Sequence, residues 1–139
     1  MVLHIRQEFV DQITAQARAE LPNEACGVIL GPAGSGQAAR IQPMFNAAAS
    51  PVFYEFAPQD LLALYRALDD EDEEIVVVYH SHPTSEARPS SSDIAYASEP
   101  GAHYLLISTR AEIAPEIEFR SFRIRDGVVT EEEVAIIAS

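Results

Sequence analysis

The chain has no tryptophan, no lysine and a single cysteine. One cysteine, Cys26, excludes an internal disulfide and fits a reducing, cytoplasmic compartment. Without lysine, all nine basic residues are arginine, set against 22 acids for a formal net charge of −13. Such a surface repels phosphates, so no nucleic-acid partner is expected, and the acidity is read as a means of solubility. No apolar run approaches the roughly 20 residues of a membrane helix. No basic, apolar, small-residue series opens the chain as a secretory signal would, so no membrane association is expected. Neither a repeat nor a linker is visible. The glycine-rich "GPAGSG" of Gly31–Gly36 lacks the Lys-Ser/Thr of a phosphate loop. The acidic run Asp69–Glu74 lacks the spacing and central glycine of a calcium loop and reads as a solvated loop.

What is present is a 47% hydrophobic chain of 139 residues, enough for a single domain over 1–139 with a real core. Phe9, Val10, Ile13 and Ala17 recur at helical spacing within 7–20. The apolar run 25–30 and the segment 39–45 read as strands, as does Val52–Phe56 from its aromatic and β-branched content. Pro58 can open a helix with Leu61, Leu62, Tyr65 and Leu68 on one face. Ile75–Tyr79 is apolar throughout and reads as a central strand. A short helix over Ser91–Ser98 and a strand over His103–Ser108 follow. Asp126-Gly127 between two alternating segments, 117–125 and 128–137, predicts a hairpin. The sum is a mixed α/β domain, one sheet flanked by helices.

The chemistry concentrates in "HSHPTSEARPSSSD", His80 to Asp93. Residues two apart on a strand share a side, so His80 and His82 converge if the strand reaches them. Ser90 and Asp93, three apart, share a helix face. Two imidazoles and a carboxylate make a three-ligand metal site, and a fourth position left to solvent marks catalytic zinc. Each pair alone is weak: His-x-His is often incidental, and Ser-x-x-Asp is also a helix capping box.

Together, in this order and spacing, they resemble the signature of the JAMM (MPN+) metalloproteases: His80-Ser81-His82-Pro83, six residues, then Ser90 and Asp93. The family's upstream segment, Pro-x-Glu-x-Cys-Gly-x-x-x-Gly, is matched by "PNEACGVILG" at 22–31. "FYEFAP" and "RSFRIRDGVVTEEEV" extend the likeness to the short, stand-alone bacterial branch, the CysO-cysteine peptidases. The resemblance implies an MPN fold akin to the cytidine-deaminase layout, a Zn2+ ion on His80, His82 and Asp93, and Glu24 as general base. It also implies a substrate: the C-terminal tail of a ubiquitin-like sulfur-carrier protein, from which cysteine or extra terminal residues are removed. A homodimer is a further implication.

Ser90 is the natural second donor, beside the metal, to the oxyanion of amide hydrolysis. An extended tail could add to an exposed strand edge, with "SPVFYEF" and Thr84–Pro89 as candidate surfaces and Arg88 as a candidate carboxylate ligand. Rival readings are a metal-free scaffold of the same fold, and Cys26 as a nucleophile with a histidine base. His103 is read as a satisfied strand-end histidine, His4 as a surface residue, and Ser81 as pointing away from the metal.

Overall fold

A computed structural model of the protein describes residues 1–138; Ser139, the last residue of the expected domain span, lies outside the described residues. The elements are β1 (Val2–Arg6), α1 (Gln7–Ala19), β2 (Cys26–Pro32), β3 (Arg40–Met44) and α2 (Pro58–Glu71), then β4 (Glu73–His82), α3 (Ser91–Ala95), β5 (His103–Ser108), β6 (Glu118–Arg125) and β7 (Val128–Ile137). The strands form one mixed sheet in the order β1-β7-β6-β5-β4-β2-β3. The pairs β1–β7 and β4–β5 are parallel and the rest antiparallel. This is the mixed sheet flanked by helices that the pattern of segments predicts.

Two apolar layers sandwich the sheet. Phe9, Val10 and Ile13 of α1 pack on Ile29, Tyr79, Leu105 and Ile107, while Leu64 and Leu68 of α2 pack on Val28, Val78, Tyr104 and Leu106. A bulge decides which layer each β4 residue meets. The β2–β4 register jumps from Ile29↔Val77 to Leu30↔Ile75, leaving Val76 as the extra residue. Val76 and Val77 therefore both face α1, after which alternation resumes. Val78 faces α2, and His80 and His82, two and four residues on, share its side.

Tight packing ties the strands that carry the site. A Cβ on Gly27 would overlap the Tyr79 ring, so only glycine fits there. Tyr79 donates its hydroxyl to Gln16 Oε1 at 2.6 Å, and Gln16 Nε2 donates to the Cys26 carbonyl at 2.9 Å. One α1 side chain thus bridges β2 and β4. At Asp126-Gly127 both residues have positive φ, 52° and 77°, as a tight hairpin turn with this sequence requires.

The structure departs from the sequence reading in five places. A strand, β1, precedes the first helix. The segment 52–56 is not a strand, although its composition favours one. Its backbone is taken up locally instead: Asn46 Nδ2 donates to the Phe53 carbonyl at 3.0 Å, Asn46 Oδ1 accepts the Glu55 N–H at 3.2 Å, and the Ala47 N–H donates to the Glu55 carbonyl at 2.9 Å. The buried stripe of α2 centres on Leu64 and Leu68, with Leu61 partly buried, whereas Leu62 and Tyr65 are exposed. The acidic run is the end of α2, a left-handed residue at Asp72 (φ 54°) and the start of β4, not a loop. Helix α3 stops at Ala95, short of Ser98.

Candidate metal centre

The end of β4 delivers two imidazoles to one point. His80 and His82 are both buried, with their Nε2 atoms 3.2 Å apart. Helix α3 brings Asp93 across the gap, and its Oδ2 lies 3.1 Å from each Nε2. The three atoms form a near-equilateral triangle. Its edges approach the roughly 3.3 Å edge of a tetrahedron built on zinc bonds of about 2.0–2.1 Å.

The protonation pattern sharpens this. His82 Nδ1 lies 2.8 Å from the Glu86 carbonyl, which can only accept, so Nδ1 carries the proton and Nε2 presents a lone pair in the neutral ring. That lone pair faces a carboxylate oxygen and a second imidazole nitrogen. Such a meeting needs a cation or a shared proton between the three atoms. Burial pulls the His82 pKa down, but the Asp93 hydrogen bond, the Glu86 carbonyl and the negative charges of Asp93 and Glu24 outweigh it and raise it. His80 is lowered, chiefly by burial. Its Nδ1 is buried without a hydrogen-bond partner, and its ring stacks on Tyr54 at 4.4 Å between centroids. Burial opposes ionisation of Asp93, yet the two histidines and the Ser90 N–H hold its carboxyl well below the usual range.

Asp93 and Ser90 form a reciprocal capping box at the start of α3. Ser90 Oγ accepts the Asp93 N–H at 3.1 Å, and Asp93 Oδ2 accepts the Ser90 N–H at 2.8 Å. The structural reading of Ser90 therefore holds. It uses only an acceptor lone pair of the hydroxyl, and the O–H remains free to donate elsewhere.

Glu24 enters from the residue pair before β2. It shares the side of Cys26 and Val28 and is 3% exposed. One carboxylate oxygen lies within 4.8 Å of ligand nitrogens of both His80 and His82. Oε1 has no hydrogen-bond partner, and burial, with Asp93 adding to it against the pull of His82, pushes the pKa up to about 8. Leaving a buried polar atom unpaired costs roughly 1–3 kcal/mol, about what one fully buried leucine contributes.

Sequence reasoning missed the residues that hold Glu24 in place. Its N–H donates to the Ser50 carbonyl at 2.9 Å, and its carbonyl accepts from Asn46 Nδ2 at 3.0 Å. Ser81 points away from the triangle as expected, but its Oγ accepts the Ala25 N–H at 2.8 Å, and its own N–H donates to the Ala25 carbonyl at 2.9 Å. The serine between the two histidines thereby ties their strand to the residue beside Glu24.

The other candidates lie apart. The Cys26 thiol is buried, contacts the Met44 carbonyl at 3.7 Å, and is pushed up to about 12 by burial, which leaves no thiolate for nucleophilic attack. His103 is hydrogen-bonded to Glu132, and His4 is exposed. Arg88 lies 3.8 Å from Glu86 and 3.9 Å from Glu131.

Residues 6–125 match the family model described as prokaryotic homologs of the JAB domain. The chain is 48% identical over 136 residues to the CysO-cysteine peptidase of Mycobacterium tuberculosis, covering 98% of this chain and 92% of that one. It is 36% identical over 111 residues to the desampylase of Haloferax volcanii, covering 76% and 80%. A solution structure of a protein from Desulfitobacterium hafniense superposes with a TM-score of 0.83 at 29% identity, over 100% of this chain and 94% of the other. The chain therefore belongs to the family of prokaryotic homologs of the JAB domain, as a hydrolase of the JAMM type.

Proposed function

We propose that the chain is a zinc-dependent peptidase that hydrolyses the C-terminal amide bond of a ubiquitin-like sulfur-carrier protein, releasing cysteine or trimming terminal residues to expose Gly-Gly. The observation that carries this reading is the triangle of two imidazole nitrogens and a carboxylate oxygen at 3.1–3.2 Å beside an unpaired, buried glutamate. The identity to a CysO-cysteine peptidase supports the substrate class.

In this reading His80 Nε2, His82 Nε2 and Asp93 Oδ2 hold the ion. The donor set of two imidazoles and one carboxylate suits zinc and leaves a position open. Bound zinc would supply Lewis acidity toward water and toward the scissile carbonyl. Asp93 rather than Glu24 is the third ligand, because only its oxygen completes the close triangle. Glu24 sits one shell further out, within reach of a water near the histidines. It takes the proton as water attacks and returns it to the leaving amine, so amide and water become carboxylate and amine. The raised pKa of Glu24 describes the metal-free protein; a dication nearby favours the carboxylate form that the base requires. The free Ser90 O–H donates to the carbonyl oxygen as negative charge develops on it.

An aromatic cavity of about 350 Å³ adjoins Asp93, lined by Phe53, Tyr54, Phe56, Tyr96 and Tyr104 among others. It offers apolar space for a side chain of an extended tail next to the scissile bond.

The test is cleavage of a carrier protein ending in Gly-Gly-Cys, read by mass spectrometry, with a carrier bearing several extra residues as a second substrate. Zinc-loaded wild type should release the terminal residues and chelator-treated protein should not. Zinc bound without cleavage of either substrate would favour a scaffold of the same fold.

A further inference from the structure

The loop between His82 and α3 is held from below by β5 and β6. Ala87 is fully buried in it, Ser108 donates its hydroxyl to the Ser85 carbonyl, and the Thr109 N–H donates to the His82 carbonyl at 3.2 Å. One peptide unit in this loop is engaged on both sides. Its carbonyl, from Glu86, accepts His82 Nδ1–H at 2.8 Å, and its N–H, from Ala87, donates to Glu118 Oε1 at 2.9 Å. Glu118, at the start of β6, lies 3.7 Å from Arg110 and 3.9 Å from Arg120.

We propose that Glu118 is a positioning residue for the metal centre: its carboxylate holds the Glu86–Ala87 peptide so that the Glu86 carbonyl fixes His82 with Nε2 bare. This rests on the reading of His80, His82 and Asp93 as metal ligands. Ligand histidines commonly donate their second N–H to a carboxylate or a carbonyl, and such partners are worth about 10- to 100-fold in metal affinity. Here the two kinds are linked in series. The amide is polarised from both ends, because a charged acceptor at N–H makes the carbonyl oxygen a better acceptor. His80 has no such support among the described residues, since its Nδ1 is unpaired. His82 is thus the ligand whose orientation is built into the fold, and Glu118, 36 residues downstream in a different strand, is where that orientation begins.

The test is zinc affinity of the metal-free protein, by competition with a chromophoric chelator, alongside its thermal unfolding. Glu118→Ala should weaken zinc by about 10- to 100-fold. Glu118→Gln, which keeps an acceptor oxygen but not the charge, should weaken it less. Glu133→Gln removes an exposed charge on β7 that pairs with none of Arg88, Arg110 and Arg120 and should leave affinity unchanged. If Glu118→Ala does not fold, Glu118→Gln carries the test. His82→Ala separates the two readings. If His82→Ala loses zinc while both Glu118 variants keep wild-type affinity, the metal centre stands and the role of Glu118 is overturned. Equal weakening by Glu133→Gln would overturn it too, as a general charge effect. Wild type that takes up no zinc would sink both.

Discussion

Two buried clusters of histidine and carboxylate sit on opposite faces of this sheet, and they are built to different rules. On the α1 face, His103 donates Nδ1–H to the Glu132 carboxylate at 2.8 Å, and Ser121 donates its hydroxyl to the same group at 3.1 Å. On the α2 face, two imidazole nitrogens and a carboxylate oxygen of His80, His82 and Asp93 lie 3.1–3.2 Å from one another, and Glu24 Oε1 beside them is unpaired. The composition of the clusters is similar; the completeness of hydrogen bonding is not. A carboxylate matched by an imidazole N–H and a hydroxyl stitches β5, β6 and β7 together. A cluster left short of protons is fit for a cation.

Four predictions press on that difference. The largest effect is expected from Glu24→Gln, which should lower kcat by about 10²- to 10⁴-fold in peptide-release assays while zinc stoichiometry stays the same. Unchanged kcat would remove Glu24 from the mechanism. Next is a pH effect in the metal-free protein. The Glu24 pKa is raised from 4.5 to about 8 in the folded state, so the folded protein binds the extra proton. Stability is then fully present below about pH 4.5 and lost as pH rises through about 8, by up to roughly 1.4 kcal/mol per unit. Urea unfolding with chelator at pH 5 and pH 8.5 should show a fall of a few kcal/mol, on the order set by that slope, that Glu24→Gln lacks. An identical fall in the variant would assign the effect elsewhere.

Ser90→Ala should act in two separable ways. Loss of the cap should cost about 1 kcal/mol of stability, and loss of the hydroxyl donor should lower kcat by roughly 10²-fold or more with KM little changed. A stability loss with kcat intact would leave Ser90 as a cap only. The smallest effect lies on the other face. Glu132→Gln should cost about 1–2 kcal/mol in thermal unfolding and leave zinc affinity at the wild-type value. Weakened zinc binding there would show that the two clusters are coupled through the sheet.

The contrast also explains what was legible in the sequence. His80, His82, Ser90 and Asp93 are governed by local periodicity, two residues on a strand and three on a helix, so spacing alone suggested that they converge. The hairpin at Asp126-Gly127 was legible for the same reason, as a dipeptide whose backbone preference matches the turn. Glu24 needed the family likeness, because nothing local distinguishes it from a surface acid. Asn46, Ser81 and Glu118 act across sequence separations that no periodicity reports. The bulge at Val76 is hidden in an unbroken apolar run, where every residue suits either face. "VFYEF" misled because its propensity is that of a strand, while its backbone partners are supplied locally, by the Asn46 side chain and the Ala47 N–H.

The most direct measurement of the central claim is zinc-edge X-ray absorption on the zinc-loaded protein. The arrangement of His80, His82 and Asp93 predicts one zinc per chain with two imidazoles and oxygen ligands in its first shell, and loss of an imidazole signal in His82→Ala. Sulfur scattering from Cys26, or a shell with no imidazole, would contradict it.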